Sequence, residues 1–225
     1  MKQYMTILIV VVVVAWLGMP AAADDIRPPV WRGEWSTTYQ YWNFGTPVTG
    51  QLPDEGLKPT GPGPLVEGNF GEPYVQPGYL PSTRLWVYPF GDWIDVDPVS
   101  GRQGIWPLSG SIEAVVDNHN PPNEYKWVWL QLTWRPQDPF TGFSIGSFDP
   151  AASDFRLVED VSQANGWTTS VYEWFIRPNP PDEWFTINGT IDVDQLVIDT
   201  WCVPEPSALV MLLGMSLIAV WRRKR

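Results

Sequence analysis

Apolar and polar residues alternate with a period of two through most of the chain between residues 24 and 202, and helical periodicity is almost absent there. Proline and glycine clusters separate the alternating stretches, which is typical of β-strands joined by turns. The clearest stretch is 125–134, whose residues 128, 130, 132 and 134 form one apolar face. Alternation predicts further strands at 31–41 (half-buried), 84–88, 111–116, 155–158, 170–177, 184–193 and 196–201.

Short strands separated by Pro/Gly turns indicate an all-β, antiparallel fold. We expect a β-sandwich of the jelly-roll or lectin-like kind. The turn residues at 117–123 predict a hairpin between strands 111–116 and 125–134. Residues 43–81 hold eight prolines and eight glycines. We expect this segment to be an extended strap or a lid, since nothing in it favours a helix.

The N-terminus has the features of a secretory signal peptide at 1–23. Lys2 supplies the positive start and residues 7–17 are apolar. Ala21 and Ala23 form an A-x-A-type site, so we expect cleavage after Ala23. An uncleaved N-terminal anchor helix is the alternative.

The last 23 residues contain a rigid turn, an uncharged apolar run and a basic cluster, in that order. A helix over residues 208–221 would span roughly 21 Å, against about 30 Å for the hydrocarbon core of a bilayer. Arginines that reach the interface and a thinned bilayer would absorb the difference. The basic cluster should stay cytoplasmic and leave the rest of the chain outside. The cluster is Arg222, Arg223, Lys224 and Arg225.

This order of elements resembles the PEP-CTERM sorting signal of bacterial envelope proteins. The turn that carries the resemblance is Pro204-Glu205-Pro206. The resemblance implies that an exosortase, a membrane cysteine protease, recognises 203–225 and processes the chain near the turn. It therefore implies an exported protein that is anchored in the inner membrane before processing and then belongs to the cell envelope or the extracellular space.

Residues 24–202 remain between the two signals, and their length fits one extracytoplasmic domain. They carry nine basic and 24 acidic residues, a net charge of −15. Such a surface repels nucleic acid and anionic lipid, and we expect the body to be monomeric. Cys202 is the only cysteine. It is either a buried apolar residue at a strand end or the site of an intermolecular disulfide.

Tryptophan is the unusual component of the composition: the chain has 15, and 13 lie in the body. Tyr125, Trp127 and Trp129 share the face of their strand opposite the aliphatic one. Flat aromatic side chains stack on sugar rings, so this stripe is a candidate glycan-binding platform. A strand buried on both faces would have the same pattern, and the stripe would then be core.

Acidic residues at Asp92, Asp95 and Asp97 share one loop, and closely spaced carboxylates suit calcium. Solvated loop carboxylates are the alternative, and the spacing does not match an EF-hand. Asp192 and Asp194 form a weaker second pair. No other cofactor is expected.

The sequence shows little sign of catalytic machinery. His119, the only histidine, lies in a turn, and no E-x-D-x-x-E run of the lectin-like glycosidases occurs. We expect a non-enzymatic component of the cell envelope or extracellular matrix. A secreted glycan-binding or glycan-cleaving module, in contact with extracellular polysaccharide, is the alternative.

Overall fold

The computed structural model describes residues 25–34, 37–59, 75–77, 83–89, 91–117 and 125–203. In these residues the chain is all-β, with antiparallel pairing throughout and one short 3-10 turn, Ala164–Gly166. The strands are β1 Thr37–Trp42, β2 Gly50–Gln51, β3 Glu55–Pro59, β4 Val75–Pro77, β5 Arg84–Tyr88, β6 Ile94–Val96, β7 Gln103–Asp117, β8 Tyr125–Pro136, β9 Phe143–Asp149, β10 Ala152–Ser162, β11 Thr168–Ile176 and β12 Asp182–Val203.

The predicted helices at the two ends of the chain, in 1–23 and 208–221, lie outside the described residues. Within the part of the chain that the structure describes, no helix has the length and apolar character needed to cross a membrane.

Strand β12 organises the sheet, because its 22 residues pair with four other strands. Its first half pairs with β7 and β9, and its second half pairs with β8 and β1. The register shifts between Val193 and Gln195, where the two halves meet. An extra residue in a ladder bends the strand, so β12 can belong to two differently oriented parts of the sheet.

The two parts of the sheet share one apolar core. The first part is β9, the first half of β12, β7, β5, β2 and β6; the second part is β10, β11, β8, the second half of β12, β1, β3 and β4. Rings from the two parts meet: Trp174 of β11 lies 5.2 Å from Phe185 of β12 and 5.3 Å from Phe148 of β9, between ring centroids. The core also contains Leu85, Val87, Leu108, Ile112, Val128, Leu130, Leu132, Ile187, Ile191 and Ile198.

The all-β, antiparallel prediction is thus confirmed. The finer prediction of a jelly-roll or lectin-like sandwich is not confirmed, because hydrogen bonds join the strands into one open sheet through β12.

The predicted hairpin is wrong. β7 pairs with β5, β6 and β12, and β8 pairs with β11 and β12, so the two strands have no ladder between them. The physical reason is the length of β12, which offers one half to each of them. A turn signal shows that the chain reverses but does not specify the pairing partner.

The segment predicted as one half-buried strand at 31–41 is also different. Residues Trp31–Glu34 form a turn, in which the backbone N–H of Glu34 donates to Trp31 O at 3.0 Å. The strand begins at Thr37, and only Tyr39 of its six residues is not fully buried. β1 is therefore covered on both faces.

Two predicted loops contain strands. Residues 43–81, expected to be a strap or lid, hold β2, β3 and β4, while residues 60–74 and 78–82 lie outside the description. The segment expected to be the loop that holds Asp92, Asp95 and Asp97 contains β6. Strands 184–193 and 196–201, predicted separately, are the two halves of β12.

Candidate functional site

The predicted stripe on β8 lies on the outer side of the sheet. Val128 and Leu130 point into the core, so Tyr125, Trp127 and Trp129 point away from it. All three side chains are half-buried. The stripe is therefore neither a fully buried core layer nor a freely exposed platform.

Two of these residues belong to a larger aromatic cluster, which we call the junction patch: Trp31, Tyr125, Trp127, Phe175 and Trp201. The Trp127 ring lies 5.5 Å from Trp31, 5.3 Å from Phe175 and 6.3 Å from Trp201, between centroids. Trp31 is also stacked on Trp201 at 5.9 Å, and Tyr125 meets Phe175 edge-on at 5.7 Å. None of the five belongs to the core cluster.

The indole N–H groups of Trp127 and Trp129 already have partners in the protein. Trp127 Nε1 donates to Glu173 Oε2 at 3.0 Å, and Arg156 Nε donates to the other oxygen of that carboxylate at 2.6 Å. Trp129 Nε1 donates to Arg27 O at 2.9 Å. The accessible parts of the rings can thus offer apolar contact and stacking rather than hydrogen bonding.

The patch is next to the point where the sorting tail begins. In the β8–β12 ladder, Tyr125 is opposite Val203 and Trp127 is opposite Trp201. The arrangement follows from strand pairing that the sequence pattern did not reveal. The interpretation of the stripe therefore missed Trp31, Phe175 and Trp201.

Residues 25–34, which we call the N-terminal strap, lie on the outer face of the sheet and contribute Trp31 to the patch. Arg27 N donates to Gln131 Oε1 at 2.9 Å. Arg32 makes a two-pronged contact with Asp199, Nε to Oδ1 at 2.5 Å and Nη2 to Oδ2 at 2.6 Å. Arg32 Nη2 also donates to Asp25 Oδ1 at 3.0 Å. The strap thus ties the start of the body to the last strand.

At Asp199, burial and the ion pair with Arg32 shift the pKa of the carboxyl in opposite directions. Removal from water raises the pKa of Asp199 to about 7, which outweighs the opposing effect of the Arg32 guanidinium. The two carboxylates nearby raise the pKa of Arg32 despite its burial, so the guanidinium stays charged.

The loop acids predicted to bind calcium do not share one environment. Asp92 and Asp95 are exposed, whereas Asp97 is buried. Asp97 accepts hydrogen bonds from the backbone N–H groups of Val99 and Ser100 and from Arg135 Nη1 at 3.0 Å. Burial alone would raise its pKa, but the Ser100 hydroxyl, those N–H groups and the Arg135 charge hold the pKa of Asp97 below its ordinary value. No group of three or more His, Cys, Asp or Glu suited to a metal ion occurs among the described residues.

The second acid pair is built into the bend of β12. Asp192 accepts from Arg135 Nη2 at 2.7 Å, and Asp194 is ion-paired with Arg102. Both guanidinium groups lie over the buried Trp167 ring, at 4.8 Å and 5.1 Å from its centroid. These acids therefore hold two arginines in place where the strand changes direction. No pattern in the sequence indicated this arginine–tryptophan cluster.

A charged pair inside the core was also missed. Lys126 Nζ donates to Glu183 Oε2, and the two side chains are 0% and 1% exposed. Lys126 lies opposite Cys202 in the β8–β12 ladder. Cys202 is buried at the end of β12, as one of the two interpretations predicted.

Several predicted site residues lie outside the described residues. They are Ala21, Ala23, Pro204, Glu205, Pro206, Arg222, Arg223, Lys224 and Arg225, and His119 also lies outside.

Comparison with known proteins identifies the tail only. No curated protein and no solved structure matches the chain. Residues 203–225 match the family described as the PEP-CTERM protein-sorting motif. That motif indicates an exported protein whose membrane-anchored precursor is processed by an exosortase-type enzyme. The match begins at Val203, the last residue of β12. The chain is thus a β-rich body that runs directly into a C-terminal PEP-CTERM sorting motif.

Proposed function

We propose that this protein is a non-enzymatic component of the bacterial cell envelope or extracellular matrix, delivered there by its sorting motif. The observation that carries the proposal is the position of the motif relative to the fold. β12 ends at Val203, where the motif begins. A cut after that residue would leave every described strand intact and release a complete body.

The non-enzymatic proposal is supported by three acids that arginines hold in place. Asp97, Asp192 and Asp194 each contact an arginine. The pKa of Asp97 is held below its ordinary value, which makes this carboxyl a poor proton donor. These residues therefore suit a structural role better than an acid–base one.

The body's charge supports a dispersed, monomeric state after the tail is removed. The net charge of −15 between residues 24 and 202 opposes self-association. In this proposal the body is a sandwich-like unit. It is exported through the N-terminal signal. It does not require calcium.

Glycan binding is a second candidate, favoured by the half-buried aromatic stripe. Tyr125, Trp127 and Trp129 keep part of each ring accessible. Because the indole donors of Trp127 and Trp129 are bonded within the protein, sugar contact at these two rings would rest on stacking. A glycan array probed with the purified protein and with Trp127→Ala tests it: loss of a wild-type signal in the folded variant would support the module.

The sorting role is tested by Glu205→Ala, with Asp95→Ala as the matched control, since Asp95 is an exposed acid of the body. We expect Glu205→Ala to accumulate as the unprocessed, membrane-associated form with an unchanged body, and Asp95→Ala to mature normally. Membrane fractionation with mass spectrometry distinguishes the forms. Maturation of Glu205→Ala at the wild-type rate would refute recognition through the PEP turn.

The orientation of the tail is tested by replacing its four basic residues. Substituting glutamine for 222–225 should impair retention and processing, while export continues because the N-terminal signal is separate. Normal tail processing in this variant would contradict a role for the basic cluster.

A further inference from the structure

The junction patch lies beside the residue at which the sorting motif begins. Its Tyr125 lies opposite Val203, after which residues 204–207 lead to the apolar run of the motif. Four extended residues span at most about 14 Å. The headgroup layer on each side of a bilayer adds roughly 5–8 Å beyond the hydrocarbon. The tether therefore keeps the patch within reach of the headgroups for as long as the tail is uncut.

The chemistry of the patch suits that location. Tryptophan and tyrosine favour the membrane–water interface, because a large apolar ring carries one polar group. Four of its five rings, all except Trp31, are half-buried and keep an accessible part. They lie on the outer side of the sheet, away from the core cluster.

The local charge is mixed, since the exposed acid Glu34 lies in the turn that begins with Trp31 and an exposed arginine lies at Tyr125. The Arg177 guanidinium is stacked over the Tyr125 ring at 4.8 Å from its centroid, and Arg177 is exposed. Glu173, which bonds Trp127, is 2% exposed and ion-paired with Arg156. A lipid phosphate approaching the patch would thus meet an accessible cation at Arg177.

We propose that the junction patch rests on the headgroup layer of the membrane that holds the precursor. The contact orients the body so that the PEP turn lies at the bilayer surface, where a membrane protease can reach it. Cleavage removes the tether, and the patch then leaves the membrane with the body. This inference rests on the membrane anchoring of the precursor and adds a second, reversible contact to it.

The fold supplies a matched pair of reporter positions. Glu34 is exposed in the turn that begins with Trp31. Val99 is 70% exposed in the turn held by Asp97, which contacts Arg135. Arg135 is ten residues along β8 from Tyr125, or roughly 33 Å at the rise of a strand. A label at Val99 should therefore remain in water.

The experiment uses the full chain with Cys202→Ala, carrying one spin label at Glu34→Cys, Val99→Cys or Ser207→Cys. The protein is reconstituted into phosphatidylcholine bilayers, so that no anionic lipid is needed. Relaxation by an aqueous nickel complex and by oxygen reports the depth of each label. We expect the Glu34 label to lose accessibility to the nickel complex relative to the Val99 label, and the Ser207 label to be shielded as well.

Two outcomes would overturn the inference. Equal accessibility of the Glu34 and Val99 labels, with the Ser207 label shielded, would mean that the tail is inserted and the patch does not touch lipid. A Ser207 label as accessible as Val99 would mean that the tail is not inserted, and both the anchoring and the patch contact would fail.

Discussion

The buried pair Lys126–Glu183 should be the most sensitive electrostatic feature of the fold. It joins β8, in one part of the sheet, to the start of β12, in the other part. By register, Lys126 lies between Ile176 and Cys202, and Glu183 lies opposite Val116. Both charges are thus buried and have apolar side chains beside them in their ladders.

The expected magnitude follows from that burial. Lys126→Met leaves a buried carboxylate without its cation, and breaking such a pair costs about 3–5 kcal/mol. Replacing both charges, with Lys126→Met and Glu183→Leu together, removes the desolvation cost as well as the attraction. The double variant should therefore be close to wild type, or more stable by up to about 4 kcal/mol.

The matched control is the exposed pair Arg27–Glu159, whose side chains are 50% and 39% exposed. Glu159→Gln should cost at most about 1 kcal/mol. Urea unfolding followed by tryptophan fluorescence measures the free energy of unfolding of all four proteins. If Lys126→Met loses no more unfolding free energy than Glu159→Gln, the pair is not buried. That result would contradict the arrangement in which the two parts of the sheet share one core.

Three further outcomes follow from single sites. The pKa of Asp199 is raised to about 7 in the folded state. Its contribution to stability is therefore full below about pH 4 and is lost as the pH rises through 7. In urea unfolding measured across this pH range, Asp199→Asn should remove that pH dependence. Trp127→Ala should lower the free energy of unfolding by about 2–3 kcal/mol, less than the roughly 3–5 kcal/mol expected for Trp174→Ala at a fully buried tryptophan. Thermal or urea unfolding measures both losses. Equal losses in the two variants would place the stripe in the core. Since Asp97 already accepts bonds from Ser100 and Arg135, the melting temperature should be the same in calcium and in chelator, and a rise with calcium would establish the loop as a site.

The sequence was most informative where a pattern has one physical cause. The alternation on β8 correctly placed Val128, Leu130 and Leu132 in the core, because successive side chains of a strand point to opposite faces. β5 was predicted with its observed bounds, since turn residues mark both of its ends. The tail was identified from its order of elements alone.

The pairing of strands and the burial of polar residues could not be predicted from such patterns. β7 and β8 follow each other in the chain, yet each pairs with a different half of β12, and no local signal encodes a partner dozens of residues away. Lys126 has the same phase as Val128 and Leu130, which was a usable signal for its burial. A lysine is rarely buried without a partner, and the partner, Glu183, is set by the tertiary fold.

The candidate site shows the same division. The stripe on β8 was found because it lies on one strand. The other members of the junction patch come from the strap, β11 and β12. Their meeting depends on strand order and on the turn at Trp31, which the alternation mistakenly assigned to a strand.

The central claim is that the body is released from its membrane anchor by processing at the PEP-CTERM motif. The most direct measurement is the intact mass of the protein recovered from the envelope and the medium, with its terminal peptides sequenced. We expect a chain that starts at Asp24 and ends near the PEP turn, with β12 complete to Val203. A released protein that still carries residues 208–225 would contradict it.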